Sequence, residues 1–242
     1  MAAAPINKRT RQGAAPQPEA SGEEARPRAS GESQRRILEA ARTEFADEGF
    51  AGARTDRIVK RAGVNQNLLY HYFGSKERLF VAVMEQVYAE VRERHRDMEL
   101  ERLKPEAAIR RFTEATFDLF VQSDDVIRLL STENIHRAEH IRGSERIGHI
   151  YNPLLTRLDA ALRRGREEGC FRSGVDAQEL FITITGLSYF YLSNRHTLSV
   201  ILHDDLEAPA RLARRRRHIA EVVTTFLRHG NSAHARASRR KA

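Results

Sequence analysis

Three groups of side chains in this 242-residue chain have types and spacings that could do chemistry. The first is Gln66-Asn67-x-x-Tyr70-His71, which falls on one outward face if residues 66–72 are helical. A side-chain amide presents a donor and an acceptor on one plane, the pattern that reads an adenine edge in the major groove of DNA. Arg54, Thr55, Tyr72 and Lys76 flank this set and offer the charge and hydroxyls that suit phosphates, at points where two helices would begin. The second group, His136-Arg-Ala-Glu139-His140, matches the H-x-x-E-H zinc string. Its histidines share a face only if a helix continues through them, and the string needs a distant third ligand. It supports the alternative of a metal-sensing regulator or a metal-dependent hydrolase, and coincidence in a chain with ten histidines is the simpler account. The third group, Asn194-Arg195-His196, ends an apolar stretch. It could present a cation and an amide to a carboxylate, or simply cap a helix C-terminus. Cys170, the single cysteine, follows Gly169 at a helix end and reads as unreactive rather than as a redox switch.

The elements needed to position these groups read as helices throughout, with no convincing strand. A first helix is expected over 35–48, with Ser33 as N-cap, Gly49 as stop and Ile37, Leu38, Ala41 and Phe45 as its stripe. A second over 56–62 is capped by Thr55 and stopped by Gly63. A third over 66–72 is capped by Asn65 and ended by Gly74. The turn Gly63-Val64-Asn65 suits two helices that cross steeply, so that the second can enter a groove. Ile58, Val59, Ala62, Val64, Leu68, Leu69 and Phe73 would form the core of this unit. A fourth helix runs from after Ser75 to about residue 100 on the stripe Leu79, Phe80, Val83, Met84, Val87, Tyr88, Val91.

The segment 33 to about 85 resembles the N-terminal domain of the tetracycline-repressor (TetR) family of bacterial regulators. The residues that carry the resemblance are Ile37-Leu38-x-Ala40-Ala41, Phe45-x-x-x-Gly49-Phe50, Thr55-x-x-Ile58-Val59-x-x-Ala62-Gly63-Val64 and Leu69-Tyr70-x-Tyr72-Phe73-x-Ser75-Lys76-x-x-Leu79. The resemblance implies an all-α protein, with a helix-turn-helix domain followed by a divergent helical domain for ligand binding and dimerisation. It also implies a homodimer on a palindromic double-stranded DNA operator. By position, Thr55, Tyr70, Tyr72 and Lys76 resemble backbone contacts, and Asn65, Gln66, Asn67 and His71 resemble the base-reading set. Asn67-Leu68 departs from the small or hydroxylated residues of many members, which leaves the base preference open.

Downstream, Pro105 suits the first turn of a fifth helix over 105–122, and a sixth starts near Asp124. Residues 142–144 break the chain. Asn152-Pro153 reads as a cap or kink within 145–168, which Gly169 ends. Asp176 with Glu179 resembles a capping box that opens a helix over 177–195, and the last helix covers 209–229. Phe181-ITITG has β-branched content, but its length and neighbours favour a buried helix. A small-molecule effector would sit between the fifth and eighth helices, and the candidate lining is Phe112, Thr116, Phe120, Ile127, Tyr151, Leu155, Phe181, Thr185, Tyr189, Asn194 and Arg195. The resemblance places the dimer face on the last two long helices, where Gly186 and Ser188 permit close approach. The Arg214–Arg217 run is expected to be a solvated shoulder.

Lys and Arg outnumber Asp and Glu 41 to 33, a formal charge of +8 that favours a polyanionic partner. Residues 1–32 hold four prolines and no apolar periodicity, so they are expected to be a disordered basic arm, and 230–242 a flexible basic tail. Residues 33–80 are the DNA-reading unit, the fourth helix is the connector, and 101–229 are the ligand-binding and dimerisation part. One cysteine, no apolar leader and no long apolar run point to a cytoplasmic protein without a membrane partner. No nucleophile-elbow, phosphate-loop or dinucleotide motif suggests an enzyme or a cofactor.

Overall fold

The computed structural model describes residues 25–96 and 98–228. Ten α-helices occupy this span: α1 Ala25–Gly52, α2 Thr55–Ala62, α3 Gln66–Phe73, α4 Lys76–Arg96, α5 Pro105–Gln122, α6 Asp124–Ile135, α7 Glu145–Glu167, α8 Ala177–Ser193, α9 Arg195–Leu202 and α10 Pro209–Arg228. Two 3₁₀ turns, Leu100–Arg102 and Ile141–Gly143, join α4 to α5 and α6 to α7. There is no strand among the described residues. Residues 1–24 and 229–242 lie outside the described residues, and with them most of the expected disordered arm and the expected flexible tail. No described helix is long and apolar enough to cross a membrane.

Short helices here stop where the sequence says they should. Asn65 caps α3, its side chain accepting from the Leu68 amide at 2.8 Å. Gly63 closes α2 at φ 63°, a left-handed conformation that costs a glycine little. Asp176 opens α8 by accepting from the Gln178 and Glu179 amides at 2.8 and 2.9 Å. Ser144 caps α7, and Pro105 sits in the first turn of α5.

Three boundaries and the reading of one proline differ from expectation. α1 begins at Ala25, so Ser33 lies inside a helix and 25–32 is not an unstructured arm. Arg35 bridges Glu32 and Glu39 at 2.5 Å each, three- and four-residue pairs that support this extension. Thr55 is the first residue of α2, not its cap; the Arg54 amide instead donates to buried Glu44 Oε1 from α1, at 3.2 Å. α4 ends at Arg96, short of residue 100. α7 runs unbroken through Pro153, which is exposed, while Ile150, Leu154 and Leu158 on the same helix are buried and hold the helix against the missing amide bond.

Gly49 interrupts α1 at φ 67°, and the chain after it turns Phe50 inward. Phe45, Phe50 and Phe80 then form an aromatic cluster, Phe45 meeting Phe80 edge-on at 5.0 Å and Phe50 meeting Phe80 at 5.3 Å. Ile37, Phe45, Ile58, Leu69, Leu79 and Phe80 are fully buried and make the core of the N-terminal unit. That core continues without a break into Phe117, Phe120, Ile127 and Leu129 of the C-terminal part. A second core, around Leu100, Ile109, Phe112, Leu158, Leu180 and Leu227, closes the far end. Arg42 on α1 joins Asp125 of α6 and Glu90 of α4, the latter at 2.6 Å. Burial would lower its pKa, but the two carboxylates hold it above the ordinary arginine range.

Candidate nucleic-acid interface and buried cavity

The N-termini of α2 and α3 lie side by side. Gln66 Nε2 donates to Thr55 Oγ1 at 3.4 Å, so the first base-reading candidate is oriented by a phosphate-contact candidate. Asn65, Gln66, Asn67, Tyr70 and His71 are exposed along one side of α3, while Leu69 and Phe73 on the other side are buried. A helix with one face anchored and the other amide-rich can lie in a major groove. Tyr72 is half-buried, its ring edge-on to His71 at 5.3 Å and to Phe73 at 6.4 Å. Lys76, at the start of α4 just after α3, stands 4.9 Å over the Phe50 ring, a cation–π contact that holds the ammonium in place. Arg54 is exposed and pairs loosely with Asp56 at 3.2 Å. All nine sequence-selected residues therefore lie on or beside the α2–α3 surface.

The zinc string does not form. α6 stops at Ile135, and Arg137 and Ala138 both take φ 58°, so His136 and His140 do not share a helix face. Among the described residues no group of three His, Cys, Asp or Glu could hold a metal ion. His140 has a different role. Its Nδ1 donates to Oε2 of Glu133 at 2.8 Å, and the carboxylate, only 2% exposed, also accepts from the His140 and Ile141 amides at 3.0 Å each. The imidazole packs on Phe50 at 4.1 Å and Phe80 at 5.0 Å. The loop after α6 thus clasps the aromatic cluster that supports Lys76. Ser144 and Arg146 tie the same loop to Glu85 of α4, at 2.7 and 3.2 Å.

A small cavity of about 30 Å³ lies among α4, α5, α6 and α8. Thr116, Phe120, Phe181 and Thr185, all candidates from sequence, line it. Phe112 lies tilted against His95 at 5.0 Å, and Tyr189 contacts Phe120 at 5.7 Å while sharing a 2.7 Å hydrogen bond with Ser131. Ile127 is buried in the core toward α1, and Leu155 is half-buried on α7 away from the lining. The side chain of Tyr151 lies outside the described residues. Asn194 and Arg195 do not reach the cavity: Asn194 Nδ2 caps α8 at Phe190 O, 2.9 Å, and Arg195 is engaged by Asp124, Glu207 and Leu192 O. Capping is the simpler reading of that tripeptide, and it holds.

Sequence reasoning misses the α4 wall: Val87, Tyr88, Val91 and His95. A signal is present, since His95 continues the apolar spacing of 84, 87, 91 and is the polar break in it. Its Nδ1 meets Val91 O at 2.7 Å and its Nε2 meets Thr116 Oγ1 at 3.1 Å. Burial pushes its pKa below the ordinary imidazole value and keeps the ring neutral, with the Val91 hydrogen bond opposing. Burial likewise raises the Tyr88 phenol, with the nearby Glu133 charge adding to it. Thr185 Oγ1 is buried without a hydrogen-bond partner. The wall is mainly apolar, with Thr185 Oγ1 as an unpartnered polar atom, and has no Asp, Glu, Lys or Arg in its lining.

A helix-turn-helix surface on a helical body with an internal cavity defines a DNA-binding transcriptional regulator with a sensing domain. Residues 37–83 match the family described as bacterial regulatory proteins, tetR family, and residues 105–223 match the tetracyclin repressor-like C-terminal domain. The chain belongs to the TetR family. It is 36% identical over 170 residues to the HTH-type transcriptional repressor NicS of Pseudomonas putida, covering 70% of this chain and 80% of that protein. It is 31% identical over 155 residues to the repressor SCO4008 of Streptomyces coelicolor, covering 63% and 74%. Among solved structures, SCO4942 from Streptomyces coelicolor superposes with a TM-score of 0.61 at 23% identity, covering 81% of this chain and 98% of that one. FadR from Bacillus subtilis, solved with stearoyl-CoA, gives 0.57 at 20% identity, covering 79% and 98%. These two likenesses establish the fold.

Proposed function

We propose that this chain is a cytoplasmic, non-enzymatic repressor that binds a palindromic operator as a homodimer and is released by a small effector. The observation that carries this reading is the dual use of α4. Its first half, Leu79, Phe80 and Val83, belongs to the core beneath the reading helix, and its second half, Val87 to His95, forms one wall of the cavity. A cavity of about 30 Å³ holds only one or two waters. An effector larger than that needs the walls to part, and a displacement of α4 from α5 and α8 carries α3 with it. The effector acts by its higher affinity for the opened arrangement, a population shift.

Pairing is supported by Ile182 and Phe190 of α8 and Val222 and Phe226 of α10, apolar side chains left exposed along one side of the two helices, with Gly186 open between the first pair. In the groove, Asn65, Gln66, Asn67 and His71 read bases, and Arg54, Thr55, Tyr70, Tyr72 and Lys76 grip phosphates. The reading is tested by selecting operator sequences with purified protein and repeating the selection with Gln66→Ala. The preference should change at one or two base pairs per half-site, by about 1–3 kcal/mol. A uniform loss over all sequences would remove Gln66 from the reading set. Failure to enrich any sequence would refute the proposal.

A further inference from the structure

We infer that the groove formed by the end of α8, α9 and the start of α10 is a second small-molecule site, built for an amphiphilic carboxylate. It is separate from the buried cavity and far larger, at about 380 Å³, within the range of ligand sites. One side is apolar: Tyr191 and Leu198 with Leu206, and Phe190 and Leu202 nearer the mouth. The other side is cationic. Arg214, Arg215 and His218 stand three, four and seven residues after Arg211, which puts the four on one face of α10, turned to the groove. The arginine run is therefore not simply a solvated shoulder. Its members divide their tasks by direction.

Arg216 points away and is spent on Asp118 and Glu114, at 2.8 and 3.0 Å. Arg211 pairs with Asp204 at 2.7 Å. Arg214, Arg215 and His218 have no carboxylate partner among the described residues. Arg215 is the informative one. It gives one nitrogen to Leu187 O at 2.8 Å and lies 5.3 Å over the Tyr191 ring, while its Nε is sealed from solvent with no acceptor. Burial pushes its pKa below the ordinary arginine range, since no carboxylate counters it. A sheltered cation without its counter-ion is costly, and a carboxylate matches the guanidinium fork in charge and shape. The apolar side asks the same ligand for a hydrocarbon or aromatic body. A neutral ligand would leave Arg215 unpaired, and a small inorganic anion would leave the apolar side empty.

The mouth borders the α8–α10 face proposed for pairing, and Phe190, 58% exposed, belongs to both. A second copy of the chain is the competing occupant. The test titrates the full chain, without DNA, by calorimetry with 4-phenylbutyrate and with its uncharged amide. The acid should bind once per chain and at least tenfold more tightly than the amide. Arg215→Gln should erase most of that difference. Leu202→Trp, at a side chain exposed enough to accept bulk, should block the acid while leaving the circular dichroism and unfolding temperature of the wild type. Equal binding of acid and amide, no binding of either, or acid binding untouched by both substitutions would overturn the inference. So would dissociation of the dimer by Arg215→Gln and Leu202→Trp with no change in acid binding, because the groove would then be filled by the second copy. None of these readings depends on operator release, so this inference and the repressor reading fail separately.

Discussion

Replacing His140 by Ala removes the link between the sensing helices and the base of the reading unit. The imidazole gives Glu133 one of its three hydrogen bonds, at 2.8 Å, and its ring fills the space against Phe50 and Phe80. A hydrogen bond to a charged carboxylate contributes about 1.5–3 kcal/mol, and ring packing adds about 0.5–1.5 kcal/mol. The two backbone amides at 3.0 Å still hold Glu133 in the variant, so the cost falls short of a fully orphaned buried charge. The expected loss is about 2–4 kcal/mol, which for a chain of this size lowers the melting temperature by roughly 4–16 °C. Urea unfolding of wild type, His140→Ala, Glu133→Gln and the double variant gives the pair's coupling directly. His140→Gln, which keeps a donor but loses the ring, should recover part of the stability. Operator affinity should fall in His140→Ala even under conditions where it is fully folded, because Phe50 carries the Lys76 ammonium at 4.9 Å. A loss below about 0.5 kcal/mol, or additive effects in the double variant, would show that the clasp transmits nothing.

Lys76→Ala should weaken operator and non-operator DNA alike. The slope of log affinity against log salt should flatten by about 0.9 for each phosphate no longer neutralised, hence by about 1.8 for a dimer; an unchanged slope would remove Lys76 from the phosphate set. His95 has a pKa below the ordinary value of 6.5, so its contribution to stability is complete above that pH and lost as pH falls toward the lowered folded value. Wild type should therefore lose stability below pH 6.5, with this group contributing at most about 1.4 kcal/mol per pH unit, and His95→Gln should show a shallower fall in pH-dependent unfolding. Thr185→Val deletes a buried hydroxyl that has no partner and should raise stability by about 1 kcal/mol in thermal melts; a decrease would mean the hydroxyl is satisfied in solution.

The reading unit is legible in the sequence because its signals are local. Gly63 sets the end of α2 and Asn65 and Gly74 the ends of α3, all within a few residues, and Leu69 with Phe73 fixes which face is buried. The α8 cap at Asp176 is legible for the same reason. α9 is not. Asn194 closes α8 and starts α9 at once, so no separate cap announces the second helix, and Val200, Ile201 and Leu202 are exposed rather than patterned toward a core. Nothing in the sequence around Glu44 marks it as buried, yet it lies beneath the α2 terminus. Contacts of this kind join residues ten positions apart or more, beyond the reach of helical periodicity. The cavity is the least legible part. Several of its candidate residues face elsewhere or lie beside it, and the α4 wall escapes notice because an apolar stripe accounts for a core as readily as for a pocket.

The same geometry limits how an effector can act. α4 is held at its first half by the aromatic cluster and the His140 clasp, and at its second by the cavity wall. Opening the wall against an intact clasp costs free energy that the effector's own interactions must offset. A hundredfold release from DNA needs about 2.7 kcal/mol of differential affinity, comparable with the clasp itself. Loosening the clasp therefore lowers DNA affinity and the work of opening together. Variants at Glu133 or His140 should bind operator more weakly and yet release at lower effector concentration, whereas variants on α3 should change the first and leave the second alone. That pairing of effects separates a residue that couples the two sites from one that only touches DNA.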